Sequence, residues 1–108
     1  MILIKSSKQK NTLSVIIPTL NESKNLPSLL SDLSEIRNAE IIIIDSLSTD
    51  KTKEIAEIYG TNFYKLNQKN RGLQLNFGAQ KASGEWLLFI HADSRFKENW
   101  PEEINLIM

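Results

Sequence analysis

Cysteine is missing from the 108-residue sequence, so neither disulfide bonds nor thiolate metal sites are available to it, and a reducing compartment fits this absence. Charge of one sign is not in excess, because 13 basic residues balance 13 acidic ones, which argues against a nucleic-acid-binding surface. No apolar run approaches the roughly 20 residues that a membrane-spanning helix needs. These absences predict a cytoplasmic protein, either free in solution or peripheral to the membrane.

The first eleven residues, MILIKSSKQKN, place four apolar residues before three lysines. A secretory signal peptide has the opposite order, in which charge precedes a longer apolar stretch. We therefore expect residues 1–11 to form a flexible leader and residues 12–108 to form the folded domain.

Apolar runs alternate with helical patterns along the rest of the chain. Pro18 is expected to end the first strand because proline cannot donate to a sheet ladder, and Asn21 or Ser23 to cap the first helix. Four consecutive isoleucines indicate a strand buried on both faces. Strands are predicted at residues 13–17, 41–44, 62–66 and 86–90, with helices at 26–36, between 48–50 and Gly60, at 71–82 and at 98–107.

This β-α-β-α-β-α-β-α order predicts an α/β fold in which a mostly parallel sheet, joined by right-handed crossovers, has helices on both faces. Ligands of such sheets bind beyond the carboxyl ends of the strands, where the strand order reverses. If the first and fourth predicted strands are neighbours there, the polar residues after three strands share one crevice. These residues are Pro18, Thr19, Asn21 and Glu22 after the first strand, Asp45 and Ser46 after the second, and His91 and Asp93 after the fourth.

Most of these residues also have a structural alternative. Asp45 could be a turn residue, Asn21–Glu22 and residues 48–50 could cap helices, and His91 could be a structural side chain. Asp93 is harder to explain in this way, because a carboxylate just past a buried strand must be solvated, paired or bound to a metal.

Several nucleotide-binding and hydrolytic motifs are absent from the sequence. There is no P-loop, no G-x-G-x-x-G after the first strand and no G-x-S-x-G elbow, and one histidine cannot form a two-histidine zinc site. The acidic pair of a receiver domain is also missing after the first strand. The carboxylates at this edge suit Mg²⁺ or Mn²⁺, which bind through one or two carboxylates plus substrate phosphates and neutralise a departing diphosphate.

Three segments, SVIIPTLNE, EIIIIDSLSTDKT and NRGLQLNFGAQKASGEWLLFIHADS, together resemble the N-terminal half of a family 2 glycosyltransferase with the Rossmann-like GT-A fold. The resemblance spans about residues 13–96. It is nearest to a bacterial subgroup that has an R-x-x-Q-x-N-x-G segment and H-A-D in place of D-x-D. The matching residues are Arg71, Gln74, Asn76, Gly78, His91 and Asp93.

The resemblance implies a site for a nucleotide diphosphate sugar, UDP-linked, together with Mn²⁺ or Mg²⁺. His91 would either bind the metal through a neutral ring or hydrogen-bond a phosphate oxygen. The other implied roles are a nucleotide pocket lined by Pro18, Thr19 and Glu22, a contact of Asp45 with the base or ribose, Arg71 near the nucleotide, and Asp93 as the metal ligand.

Two departures from the family pattern bear on this site. His91 replaces the first acid of D-x-D, which leaves one carboxylate for the metal. In the segment that follows the second strand, Leu47 stands where the family has glycine, which alters the freedom of that backbone turn, and a second acid is missing, which weakens the choice of nucleotide.

The family continues past the length of this chain, and by resemblance its second half supplies the acceptor site and an Asp or Glu base. We therefore expect the base beyond Met108, inverting transfer to a sugar, lipid-linked or small-molecule hydroxyl, and an inactive chain on its own. Two alternatives stay open: a non-catalytic nucleotide-binding or regulatory module of the same fold, and a nucleotidyltransferase-like enzyme. Exposed apolar surface would also allow self-association.

Overall fold

A computed structural model of the protein describes residues 1–8, 12–94 and 100–107. From β2 onwards, strands and helices alternate as predicted. The elements are β1 (Ile2–Lys5), β2 (Leu13–Thr19), α1 (Leu26–Leu33), β3 (Ala39–Ser46), α2 (Thr52–Ile58), β4 (Asn62–Leu66), α3 (Arg71–Lys81), β5 (Trp86–Phe89) and α4 (Trp100–Ile107).

The strands form one five-stranded sheet in the order β1-β5-β2-β3-β4. β2 pairs in parallel with both β3 and β5, and β3 pairs in parallel with β4. The chain therefore runs outward from β2 to β3 and β4, then crosses back to β5 on the other side of β2. The strand order reverses between β2 and β5, which are the first and fourth strands of the sequence prediction.

Helices cover both faces of the sheet, as the run of four isoleucines predicted. Ile43 lies in a core formed with α1, α2 and α4, which includes Leu29, Ala56 and Ile104. Ile42 and Ile44 lie on the opposite face, in a core that α3 covers. Successive residues of a strand point to opposite faces, so β3 contributes to both cores. Within the described residues, no helix is long and apolar enough to cross a membrane.

The prediction of a flexible leader at residues 1–11 is wrong for β1. Ile2–Lys5 pairs antiparallel with β5, with Ile2 opposite Phe89 and Lys5 opposite Trp86. Leu3 packs against the larger core, and Ser6 Oγ donates a 2.8 Å hydrogen bond to the Gly84 carbonyl. A strand of four residues beside several lysines gives only a weak sequence signal, and its stability comes from an edge of the sheet that the sequence does not reveal.

The prediction that Pro18 ends the first strand is also wrong, because β2 continues to Thr19. Pairing with β3 extends to Thr19 opposite Asp45, whereas pairing with β5 stops at Ile16 opposite Phe89. The Ile16 carbonyl accepts from Ile90 N, so Pro18, two residues later, faces the β5 side as well. Its missing N–H therefore faces the side on which the ladder has already ended.

The first helix begins and ends differently from the prediction. Its N-cap is Asn25, without a side-chain cap, rather than Asn21 or Ser23, and Leu26 N instead donates to the Glu22 carbonyl at 2.9 Å. The helix ends at Leu33, short of the predicted residue 36. α3 begins at Arg71 as predicted, after Asn70, whose side chain accepts from Leu73 N at 3.1 Å. The predicted start of the last helix, at 98–99, lies outside the described residues.

Candidate functional site

The carboxyl ends of β5, β2 and β3 lie side by side at one edge of the sheet. Pro18 and Thr19 end β2, Asp45 and Ser46 end β3, and His91 follows Ile90 directly after β5. The sequence prediction that these polar residues share one edge is therefore confirmed. We use the name rim for Pro18, Thr19, Asp45, Arg71, His91 and Asp93.

The two buried polar side chains of the rim bind each other. Thr19 Oγ1 donates a 2.6 Å hydrogen bond to Asp45 Oδ1, and both residues are at most 3% exposed. Asp45 also accepts from the Ser48 backbone N–H at 3.0 Å through Oδ2 and from the Ser48 hydroxyl through Oδ1. Asp45 therefore has the turn-forming role that the sequence left open, and Oδ2 carries one hydrogen bond.

The loops after β2 and β3 are joined by further hydrogen bonds. Asn21 Oδ1 accepts from Thr49 N at 2.8 Å, and Ser23 N donates to Asp50 at 3.1 Å. Burial would raise the pKa of Asp50, but hydrogen bonds from Thr52 and Ser23 outweigh it and lower that pKa to about 2. Residues 48–50 were expected to cap α2, but the N-cap of that helix is Lys51, without a side-chain cap. Asp50 Oδ1 accepts from Thr52 N at 3.0 Å, and the segment joins the two loops.

Glu22 lies at the start of α1, where its atoms have structural partners. Its backbone N–H donates to Thr52 Oγ1 at 3.0 Å, and its Oε2 accepts from Asn25 Nδ2 at 3.2 Å. The side chain is half-buried. Neither Asn21 nor Glu22 is the N-cap of α1, so of the capping alternative only the bond from Leu26 N to the Glu22 carbonyl is observed.

The arginine and the histidine of the rim are in direct contact. Arg71 Nη1, at the first residue of α3, lies 2.7 Å from His91 Nδ1, and both side chains are exposed. A guanidinium can only donate, so the shorter contact assigns Nδ1 of His91 as the acceptor, while Nε2 lies 3.5 Å from the same Nη1. Arg71 thereby joins the switch point although it lies on the helix before β5.

Asp93 lies in the exposed turn after β5, in which Ser94 N donates to the His91 carbonyl at 3.1 Å. Within residues 1–8, 12–94 and 100–107, no group of three or more His, Cys, Asp or Glu side chains could hold a metal ion. Asp93 is the exposed carboxylate of the rim and could supply one ligand to a metal ion. This donor set fits a hard cation that takes most of its ligands from phosphate oxygens and water.

Gln74 is a rim-supporting residue to which the sequence analysis assigned no role. It is 4% exposed, and its Nε2 donates to the carbonyls of Ile44 at 2.8 Å and Thr19 at 3.1 Å. The R-x-x-Q spacing in a predicted helix was the available signal, but the partners of the amide depend on where α3 lies on the sheet.

Comparison with known proteins supports one family. A family model described as glycosyl transferase family 2 matches residues 14–105. The chain is 34% identical over 93 residues to a PGL/p-HBAD biosynthesis glycosyltransferase of Mycobacterium bovis. The alignment covers 79% of this chain and 36% of that protein. It therefore spans little more than a third of the length of that relative.

Two solved structures are similar to the described fold. The structure of Staphylococcus aureus TarS 1–349 in complex with UDP has a TM-score of 0.76 and 29% identity, and covers 89% of this chain and 32% of that one. The structure of Mycobacterium tuberculosis glucosyl-3-phosphoglycerate synthase with Mn²⁺, UDP and glucosyl-3-phosphoglycerate has a TM-score of 0.68 and 27% identity, with 76% and 33% covered.

Proposed function

The chain belongs to glycosyl transferase family 2 and has the GT-A fold, and from that premise we propose that its rim binds a nucleotide diphosphate sugar, UDP-linked, with a divalent metal. Two similar structures hold UDP, and one of them holds Mn²⁺ as well. In this proposal the chain carries the donor-binding part of a transferase.

The contact between Arg71 and His91 is the observation that carries the proposal. It holds a permanent cation at the point where strand order reverses, which is where ligands of open α/β sheets bind. A guanidinium has five N–H donors, so Arg71 can bind phosphate oxygens while one N–H stays on His91. The remaining Nε2–H of His91 would donate to a further phosphate oxygen.

Asp93 is the residue that would hold Mn²⁺ or Mg²⁺. Its exposed carboxylate would supply one ligand, directly or through water, and the diphosphate would supply others, so metal and donor would bind together. The bound cation would stabilise negative charge on the leaving diphosphate. With one carboxylate, the metal site depends on the nucleotide more than a D-x-D site does, in keeping with the H-A-D subgroup to which we assign the chain.

The nucleoside end of the donor would lie against the ends of β2 and β3. Pro18 and Thr19 would form the wall of the pocket, with Glu22 at its outer end. Thr19 and Ser48 hold the Asp45 carboxylate, whose Oδ2 carries one hydrogen bond and is the atom we assign to a base N–H or a ribose hydroxyl.

The reaction that this donor site would serve is inverting transfer. An Asp or Glu base would take the proton of an acceptor hydroxyl, whose oxygen attacks the anomeric carbon as the bond to the diphosphate breaks. Arg71 would stabilise the charge that gathers on the departing nucleoside diphosphate. We place the base and the acceptor site in the part of the family that lies outside the matched residues 14–105.

Thermal unfolding with UDP, GDP, CDP or ADP, each with and without Mn²⁺, tests the proposal. At 100 times its dissociation constant a ligand stabilises by about 2.7 kcal/mol, which for this size corresponds to roughly 10 °C or more. We expect a Mn²⁺-dependent shift with UDP that Arg71→Gln and Asp93→Asn each reduce.

Two exposed residues away from the rim provide matched controls. Arg37→Gln and Asp32→Asn change the same charges and should leave the shift intact. No shift with any of the four nucleotides, or an equal loss in the control variants, would overturn the proposal. A shift with UDP but no transfer to any acceptor by the longer enzyme would favour the non-catalytic module.

A further inference from the structure

Gln74 connects the helix that carries Arg71 to both central strand ends of the rim. It lies in α3, one turn after Arg71, and is buried beneath the helix. Its Nε2 donates to Ile44 O of β3 and to Thr19 O of β2, at 2.8 and 3.1 Å. One amide group therefore bridges the two strands whose ends form the proposed nucleoside pocket.

These two hydrogen bonds fix the position of α3 along the strands, so that its first turn lies next to the rim. Residues three or four apart lie on the same side of a helix, so Arg71, Gln74 and Gly78 share the side directed at the sheet. At Gly78 an added Cβ would lie 2.5 Å from Ile16 Cγ2, so the helix lies directly on β2 there. Gly78 sets how closely the helix approaches the sheet, and the directional bonds of Gln74 resist sliding along it.

We infer that Gln74 is a positioning residue for the donor site: it holds the first turn of α3 so that Arg71 reaches His91 and the diphosphate. This inference rests on the function proposed above. Gln74 would not hydrogen-bond the nucleotide sugar through its amide N–H groups, because both are directed at the backbone carbonyls of Ile44 and Thr19. Its effect on donor binding would pass through Arg71.

A purely structural glutamine and a positioning glutamine differ in their coupling to Arg71. If Gln74 only supported the fold, its mutation would weaken UDP binding equally whether or not Arg71 is present. If it positions Arg71, the mutation has nothing left to disturb once Arg71 is removed. Contacting or linked residues show such non-additivity, whereas independent ones do not.

The experiment is a double-mutant cycle on the affinity for UDP with Mn²⁺, measured by titration calorimetry. Gln74→Met keeps the unbranched shape of the side chain and removes both N–H hydrogen-bond donors of the amide. We expect it to weaken the affinity for UDP about fivefold when Arg71 is present and less than about twofold in the Arg71→Gln background. Gln80→Met, at an exposed position of the same helix, should change affinity less than about twofold in either background.

A second measurement separates failure of the inference from failure of the proposed function. In the ligand-free protein, the ¹⁵N resonances of the His91 ring report its contact with Arg71, and Gln74→Met should shift them whereas Gln80→Met should not. If Gln74→Met proves unfolded, Gln74→Asn, which keeps the amide on a shorter side chain, replaces it.

Additive affinity losses, or unchanged His91 resonances, would overturn the positioning role. If Arg71→Gln left UDP affinity unchanged, the proposed donor site would fail, and the His91 resonances would still decide whether Gln74 positions Arg71.

Discussion

Two buried serines at opposite ends of the sheet differ in their hydrogen bonding. Ser14 Oγ donates to Glu40 and accepts from Gly84 N at 2.8 Å. Burial would raise the pKa of Glu40, but hydrogen bonds from Ser14 and Ser83 lower it. Ser46 Oγ, at the end of β3, has no hydrogen-bond partner among the described residues, although the residue is 1% exposed. The two hydroxyls should therefore contribute very differently to stability.

We expect Ser14→Ala to lower the free energy of unfolding by about 1–3 kcal/mol, because it leaves the buried Gly84 N–H without an acceptor and removes one of the hydrogen bonds that Glu40 Oε2 accepts. Ser46→Ala should be neutral or stabilising by up to about 1 kcal/mol, because it removes a hydroxyl without breaking a hydrogen bond. Urea unfolding of both variants measures the difference. Equal losses would show that Ser46 has a partner that this account lacks.

The rim residues were predicted from their position after strands, except Arg71, which came from the family resemblance, but their partners were not predicted. Asp45 and Thr19 follow different strands, and only the register of β2 against β3 puts them opposite each other. Arg71 and His91 meet because α3 returns to the switch point. Leu47, which replaces the family glycine, has φ 62°, so the turn keeps the left-handed backbone at a cost of roughly 1–2 kcal/mol.

At the scale of elements, the two glycines of α3 have opposite surroundings. Gly78 is buried, and an added Cβ would meet Ile16 Cγ2 at 2.5 Å and Ile44 Cγ1 at 3.3 Å. Gly72 is exposed in the first turn, and its nearest atom would be Asn70 Oδ1 at 3.4 Å. Gly78 is needed for packing on the sheet, whereas Gly72 only weakens the helix.

We expect Gly78→Ala to destabilise the protein by about 1–3 kcal/mol, because fully buried Ile16 cannot move aside without strain elsewhere. Gly72→Ala should stabilise it by up to about 1 kcal/mol through helix propensity. Thermal unfolding monitored by circular dichroism measures both. A Gly78→Ala variant as stable as Gly72→Ala would mean that α3 does not lie against β2 as described.

Element type was predictable from periodicity and composition for residues 12–94 and 100–107, while element ends often were not. β4 has the predicted bounds, because a short apolar run between turn residues leaves little choice. β2 runs past Pro18 because its neighbour on one side stops earlier, which is a tertiary fact. β1 was missed for the same reason, since the pairing that stabilises it is with residues more than 80 positions away.

At the scale of the whole molecule, the order of elements and the four isoleucines were enough to predict a parallel sheet covered on both faces. The rim followed only on the assumption that the first and fourth predicted strands are neighbours, which the observed strand order bears out. The antiparallel edge strand β1 was not predictable, because nothing in its own residues specifies which strand it joins. The identity of the nucleotide sugar also cannot be read from the sequence, since His91 and Leu47 depart from the family pattern in the two segments that the resemblance associates with metal and nucleotide binding.

A crystal structure of the chain with UDP and MnCl₂, using the anomalous signal of manganese, tests the central claim most directly. The account predicts manganese within about 2.1 Å of an Asp93 carboxylate oxygen or one water removed from it, with the diphosphate on Arg71 and the uridine against Thr19 and Asp45. UDP bound away from the ends of β2, β3 and β5, or manganese on carboxylates other than Asp93, would contradict it.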